Sequence, residues 1–126
     1  MDRNDLKLRT KQFTLRALKL ADALPKRNSG RICADQLGRC ASSVGANYRS
    51  ACRGRSKAEF VAKLGIVEEE ADESAFWLEV IIDHELMTPA RVDSLLQEAN
   101  ELTAIMAASR MTASKSIRQS AIGNRK

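Results

Sequence analysis

The side chains best suited to covalent chemistry in this sequence are three cysteines, Cys33, Cys40 and Cys52. They lie in one short segment and lack the CxxC spacing of a redox or zinc motif. A cysteine nucleophile needs a general base beside it, and nothing in the sequence supplies one. Helical spacing places Cys33 and Cys40 on an inward face, which favours small core residues. We therefore predict no catalytic residue.

Four carboxylates, those of Glu68, Asp72, Glu79 and Asp83, recur along one face of a predicted helix. Carboxylates one turn apart can share an ion, but metal sites in helical bundles combine them with Glu-x-x-His motifs, and the only histidine, His84, has no such motif. We interpret the line as a solvated face or one that forms ion pairs with another subunit. The sequence predicts neither a metal nor a cofactor.

A change in charge along the chain is its most informative feature. Residues 1 to 57 hold 14 Lys/Arg and 4 Asp/Glu, residues 58 to 87 hold 1 and 9, and residues 88 to 126 hold 6 and 3. Basic side chains at a helix end and in a loop can converge on phosphates. We predict contacts to RNA or DNA from seven residues: Arg16, Lys19, Arg39, Arg49, Arg53, Arg55 and Lys57. The alternative is a solvated face, or pairing with the acidic segment of the same or a neighbouring subunit.

Four helices must position these residues. Helical spacing of apolar residues predicts a first helix from about Asn4 to Leu24 and a second that follows the turn at residues 28 to 30 and ends near Arg53. Ser56 and Glu59 have the spacing of a capping box, so a third helix begins at Lys57. Thr88 and Pro89 open the fourth helix, which fades after about Ser109.

The pattern is that of an all-α protein, an up-down-up-down antiparallel four-helix bundle. Residues 1 to 110 form the bundle domain, and residues 111 to 126 are predicted to be a basic tail that is frayed or disordered. Several apolar residues fall away from the core lines of the helices, which predicts contacts between subunits of a homo-oligomer. They are Leu8, Leu15, Leu18, Ile66, Phe76 and Trp77.

The chain opens with a charged segment in place of a signal peptide, and its cysteine usage is typical of a reduced compartment. No apolar run approaches the ~20 residues that span a membrane. These features predict a cytoplasmic protein with no membrane partner. The isoelectric point near 9.4 favours an anionic partner.

The sequence resembles the rRNA intervening-sequence proteins, a family of small four-helix bundles. The likeness covers about residues 5 to 110 and is carried by Gln36-Leu37, Ser43, Asn47-Tyr48, Gly54-Arg55-Ser56, Glu59-Phe60, Lys63-Leu64-Gly65-Ile66, Glu70-Ala71-Asp72-Glu73 and Trp77-Leu78. The chain departs from the commonest form of the pattern, because Tyr48, Arg49 and Ser50 follow Asn47 where a Glu-Gly pair is usual.

This resemblance implies a ring-like homopentamer with a non-enzymatic role. Family members are encoded within insertions in large-subunit rRNA genes, and the related accessory variability determinant proteins of diversity-generating retroelements bind a reverse transcriptase and nucleic acid. Our hypothesis from the sequence is a non-catalytic homopentamer that presents a basic surface to RNA or DNA. The alternative is a scaffold that docks an acidic protein partner such as a reverse transcriptase.

Overall fold

The computed structural model describes residues 1–124, which form four α-helices joined by short connections. The helices are α1 (Arg3–Asp22), α2 (Asn28–Cys52), α3 (Lys57–Asp83) and α4 (Pro89–Asn124). Each helix packs against the next one in the chain, α1 on α2, α2 on α3 and α3 on α4. The structure confirms the predicted all-α four-helix bundle.

Local side-chain chemistry explains where the helices begin. The Asp2 carboxylate accepts a hydrogen bond from the backbone N–H of Asp5 at 2.8 Å, and the Asp5 carboxylate accepts one from the N–H of Asp2, which closes a capping box. Ser56 caps α3 by accepting from the N–H of Glu59 at 3.1 Å. Pro89 is the first residue of α4, as predicted.

The bundle core is built from one apolar line on each helix. Phe13, Tyr48, Leu64 and Leu102 are among the side chains with 1% or less of their surface exposed. Every buried side-chain nitrogen or oxygen within the described residues has a hydrogen-bond partner. Thr10, for example, donates its hydroxyl hydrogen to the carbonyl of Leu6 at 2.7 Å. A core that is fully packed and satisfied fixes how the exposed faces lie relative to one another.

Charged side chains join α1 to α4, which otherwise approach each other at few points. Arg9 donates two hydrogen bonds to the carboxylate of Glu98, at 2.6 and 2.8 Å, and a third to Glu101 at 3.1 Å. The hydrogen bond with Glu98 raises the pKa of Arg9 above its ordinary value. Arg9 therefore belongs to the bundle's own contacts and is not free to bind a partner.

The fourth helix is longer than the sequence predicts. We expected it to fade after Ser109, but α4 continues to Asn124. Its last fully buried residue is Met106, and the segment beyond packs partly against the start of α3, where the Lys57 ammonium donates to the hydroxyl of Ser116 at 2.9 Å. The described part of the predicted tail is helical, and no glycine or proline interrupts residues 110 to 122. The last two residues of the predicted tail lie outside the described residues.

None of the four helices in residues 1–124 combines the length and the apolar composition that crossing a membrane requires.

Candidate nucleic-acid interface

Two adjoining grooves lie where α2 ends. The first, of about 620 Å³, runs between α1 and α2, and the second, of about 490 Å³, runs between α2 and α3. Both are lined by Ala46 and Arg49 of α2 and by Arg53, the C-cap residue of α2. The outer face of α2 is therefore a ridge with two arginines one helical turn apart and a groove on each side.

Basic residues dominate both grooves. Six of them, Lys7, Lys11, Arg49, Arg53, Arg55 and Lys63, are here called the junction surface. Glu59 is the only acidic residue that lines either groove, and its carboxylate accepts a hydrogen bond from the backbone N–H of Arg55 at 2.6 Å. Within residues 1–124, none of the six cations is in an ion pair. The junction surface thus presents positive charge that the bundle itself leaves available.

A close approach of α1 to α2 places the lysines of α1 beside the arginines of α2. Gly45 makes this approach possible, because a Cβ at this position would lie 2.6 Å from the hydroxyl oxygen of Thr14. That hydroxyl donates to the carbonyl of Ala41 at 2.6 Å, which ties the two helices together. Lys7 and Lys11 are one turn apart on α1, so the first groove has a pair of cations on each wall.

The start of α3 is held near the same end of the bundle by its contact with α1. The guanidinium carbon of Arg3 lies 4.2 Å from the ring centre of Phe60, a cation–π contact between α1 and the first turn of α3. Lys63 follows one turn after Glu59 and lines the second groove together with Arg55. All three elements that contribute to the junction surface are therefore fixed by direct side-chain contacts.

The other predicted cations lie elsewhere. Arg39 forms ion pairs with Glu70, at 3.3 Å, and with Glu73, so it pairs with the acidic helix of its own chain as the alternative interpretation allowed. Lys57 points to α4 through Ser116. Arg16 and Lys19 line a separate groove between α1 and α4, where Arg16 donates to the hydroxyl of Ser94 at 2.9 Å. The structure brings Arg49, Arg53 and Arg55 together and separates the remaining four residues from them.

Three residues of the junction surface, Lys7, Lys11 and Lys63, are absent from the set that the sequence predicted. A signal for two of them exists in the sequence, because Lys7 and Lys11 flank Leu8 on the side of α1 that faces α2. To predict the two lysines from this signal, one must know which side of α1 packs against α2. Lys63 stands between residues of the α3 core line, and only the position of the α2 terminus shows that it lines a groove.

Two of the cysteines are core residues, and one of them lies beside two carboxylates of α3. Cys33 and Cys40 are buried, as predicted, and burial raises the pKa of both thiols. The Cys40 sulfur lies within 4.8 Å of the carboxylates of Glu70 and Glu73, a set that could hold a metal ion, but Arg39 already pairs with both carboxylates. The Ser74 hydroxyl donates to the same sulfur at 3.2 Å. We therefore interpret this cluster as a link between α2 and α3.

Most of the residues predicted to contact other subunits are exposed. Between 38% and 58% of the surface of five of them is accessible, namely Leu8, Leu15, Leu18, Ile66 and Phe76. Trp77 is half-buried against the core, with the Phe76 ring edge-on to it at 5.1 Å between ring centres. Leu8 and Ile66 also line the first and second grooves.

Four packed helices define a small helical-bundle protein, and at one end of the bundle lie six cations, none of which is in an ion pair within residues 1–124. The chain belongs to the 23S rRNA-intervening sequence protein family, whose sequence profile matches residues 3–108. This result confirms the family resemblance stated from the sequence. A comparison with curated proteins finds no match.

A solved structure supports the same assignment. It is the crystal structure of a protein of unknown function from the S23 ribosomal protein family of Bacteroides thetaiotaomicron VPI-5482. The two chains are 29% identical, and the superposition has a TM-score of 0.81 and covers 88% of this chain and 99% of the other. The similar protein therefore has the same bundle over nearly its whole length.

Proposed function

We propose that this protein is a non-catalytic, homo-oligomeric scaffold that binds RNA or DNA through the junction surface. The observation that carries the proposal is the convergence of six cations, from three helices and the α2–α3 connection, on two adjoining grooves whose single carboxylate is already hydrogen-bonded to the backbone. An anionic polymer is the partner that such a surface fits, because successive phosphates can each meet a cation. The family's description, which names an intervening sequence of 23S rRNA, favours RNA.

Binding at this surface is expected to be insensitive to base sequence. No aromatic residue lines either groove, so no side chain is placed to stack on a base. Lysine and arginine contacts to phosphates supply affinity and orientation without reading the base edges. The proposed complex therefore forms with many unrelated RNA or DNA sequences and weakens steeply as salt is added.

The test is a binding titration with fluorescently labelled RNA and DNA of unrelated sequence at low salt. Replacing Arg49, Arg53 and Arg55 with Ala should weaken binding by a similar factor for every sequence. Arg39→Ala is the control, since Arg39, like Arg49, is an exposed arginine of α2, but its charge is already paired with Glu70 and Glu73. Equal effects of the triple variant and the control, or no binding by the wild type, would remove the proposal.

A second outcome of the same titration distinguishes a nucleic-acid partner from a protein partner. An acidic protein partner, such as a reverse transcriptase, is the alternative occupant of a basic surface. If the wild type fails to bind nucleic acid but captures an acidic protein in a manner that depends on Arg49 and Arg53, the protein-scaffold alternative replaces the first proposal.

The proposed assembly is a ring-like homopentamer. Its support is the set of exposed apolar side chains on α1 and α3, because a monomer would leave them in water. Mass measurement in solution tests it directly, and a monomer at micromolar concentration would contradict it. We also propose a cytoplasmic location, which agrees with three free cysteines and an RNA partner.

A further inference from the structure

One exposed face of α3 carries four acidic residues, two on each side of a single aromatic residue. Glu69, Asp72, Phe76, Glu79 and Asp83 follow one another at spacings of three and four residues, and all five are exposed. These residues are here called the acidic stripe. None of its four carboxylates is in an ion pair with another described residue. The stripe is separate from the neighbouring carboxylates of Glu70 and Glu73, which pair with Arg39.

The aromatic ring at the centre of this stripe is both exposed and fixed in position. Phe76 leaves 53% of its surface accessible, and its ring meets that of Trp77 edge-on, with ring centres 5.1 Å apart and an interplanar angle of 82°. Trp77 in turn packs against the core. A ring that is held in this way loses little conformational freedom when a partner covers it, so it is suited to be an anchor of an interface.

An exposed face of α1 carries the complementary pattern. Leu8, Lys11, Leu15, Leu18 and Lys19 lie along the outward side of α1, and we call them the leucine–lysine stripe. Leu8 and Leu15 are 58% and 55% exposed. Lys11 and Lys19 lie one turn before and one turn after Leu15. In the same way, Asp72 and Glu79 lie about one turn before and after Phe76.

We propose that the acidic stripe of one subunit docks on the leucine–lysine stripe of a second copy of this chain, with Phe76 against Leu15. The proposal rests on the homo-oligomer of the proposed function and states which surfaces meet in it. Charge complementarity supports it at the level of whole helices as well, because α1 carries six Lys/Arg and two Asp, whereas α3 carries two Lys and eight Asp/Glu. Each apolar anchor then lies between two ion pairs.

The same charges exclude a symmetric contact of either stripe with itself. Two copies of the acidic stripe would place four unpaired carboxylates against four more, and two leucine–lysine stripes would oppose their ammonium groups, and both arrangements are repulsive. The contact is therefore heterologous, with a different face from each subunit. Contacts of this type generate a closed ring when the rotation between subunits closes, which is consistent with the proposed pentamer.

This arrangement leaves most of the nucleic-acid surface free. Arg49, Arg53, Arg55 and Lys63 belong to neither stripe. Leu8 and Lys11 belong to both the leucine–lysine stripe and the lining of the first groove, so they mark the border between the subunit contact and the junction surface. Assembly would thus arrange several copies of these four cations around a ring without covering them.

Charge reversal with rescue tests the docking. The first variant carries Asp72→Lys and Glu79→Lys, the second carries Lys11→Glu and Lys19→Glu, and the third combines all four changes. We expect each two-residue variant to raise the concentration at which half the protein is assembled about tenfold or more, because like charges then oppose each other across the contact. The four-residue variant exchanges the two partners' signs in the ion pairs that flank Phe76 and Leu15, and it should assemble as the wild type does. Sedimentation velocity over a range of protein concentrations measures all three.

Two further variants complete the experiment. Phe76→Ala should weaken assembly about thirtyfold, the loss typical of a central aromatic anchor. Asp93→Lys, a reversal at an exposed position of α4, is the matched control for a single charge change and should assemble normally. Circular dichroism shows whether each variant remains folded. Because every substituted residue is exposed and outside the core, a loss of assembly with native helix content is informative.

The outcomes separate this inference from the proposed function. If the wild type assembles and the two reversed variants assemble equally well, or if the four-residue variant fails to recover, the docking of these two stripes is wrong while the oligomer stands. If the wild type is a monomer, the proposed assembly and the inference are both overturned. Nucleic-acid binding is read in a separate titration, so its failure leaves the docking test intact.

Discussion

Two glycines of α2 should respond in opposite directions to the same substitution. Gly38 and Gly45 are two turns apart on α2, and each faces α1. An added Cβ at Gly38 would meet its nearest atom, Cδ2 of Leu18, at 3.7 Å, which is an ordinary van der Waals contact. The same Cβ at Gly45 would lie 2.6 Å from the hydroxyl oxygen of Thr14 and 3.4 Å from the carbonyl of Thr10.

The expected changes in the free energy of unfolding follow from competing effects. Alanine in the middle of a helix is favoured over glycine by about 1 kcal/mol, so Gly38→Ala should raise the free energy of unfolding by up to that amount. At Gly45 the overlap forces Thr14 to move, which costs about 1–3 kcal/mol for overpacking. It also breaks the hydrogen bond from Thr14 to Ala41, worth about 1 kcal/mol. The helix propensity offsets part of this cost, and the net loss is about 1–3 kcal/mol.

Urea unfolding of both variants at one protein concentration measures these differences. A double-mutant cycle with Thr14→Ala then identifies the cause. Removing the threonine hydroxyl relieves the overlap, so the Thr14→Ala and Gly45→Ala changes together should cost less than the sum of the two alone. If Gly45→Ala stabilises the protein as Gly38→Ala does, or if the two changes are additive, the close approach that shapes the first groove is not what the structure describes.

Three further predictions concern the thiols and the fourth helix. In the folded protein, a thiol reagent should modify Cys52, which is partly exposed, much faster than Cys33 or Cys40, and urea should abolish the difference. Burial raises the pKa of the two buried thiols. The stability that this shift contributes is therefore present below the unfolded-state pKa near 9 and is lost as pH rises above it. Unfolding free energies measured from pH 7 to 10 should fall at the alkaline end. A flat profile would contradict this. Ending the chain after Met111 should change the unfolding free energy by less than about 1 kcal/mol, because no core residue follows Met106; a larger loss in a thermal or urea melt would place part of the core beyond it.

Helix starts could be predicted from the sequence because their signals are local. Ser56 and Glu59 determine the start of α3 within four residues of each other, and Pro89 marks the start of α4 without reference to the rest of the fold. The end of α4 has no such signal. Its last turns are weakly periodic, and the helix continues because nothing in residues 110 to 122 interrupts it.

The binding surface was harder to predict because it depends on how neighbouring helices align. Arg39 and Arg49 look alike in the sequence, as basic residues on the outer side of one helix. The alignment of α2 with α3 places Arg39 beside Glu70 and Glu73, whereas Arg49 faces two grooves that hold a single carboxylate. The axial alignment and rotation of α2 against α3 determine which arginine meets the carboxylates, and the composition of either helix alone does not encode them.

The most direct test of the central claim is the salt dependence of nucleic-acid affinity. If all six cations of the junction surface contact phosphates, the logarithm of the binding constant should fall against the logarithm of salt concentration with a slope of roughly −4 for single strands and roughly −5 for duplexes. Replacing Arg49, Arg53 and Arg55 with Ala should reduce the steepness by about 2 to 3, and Arg39→Ala should leave it unchanged. A slope near zero, or a triple variant with the wild-type slope, would contradict the claim that this surface binds the phosphate backbone.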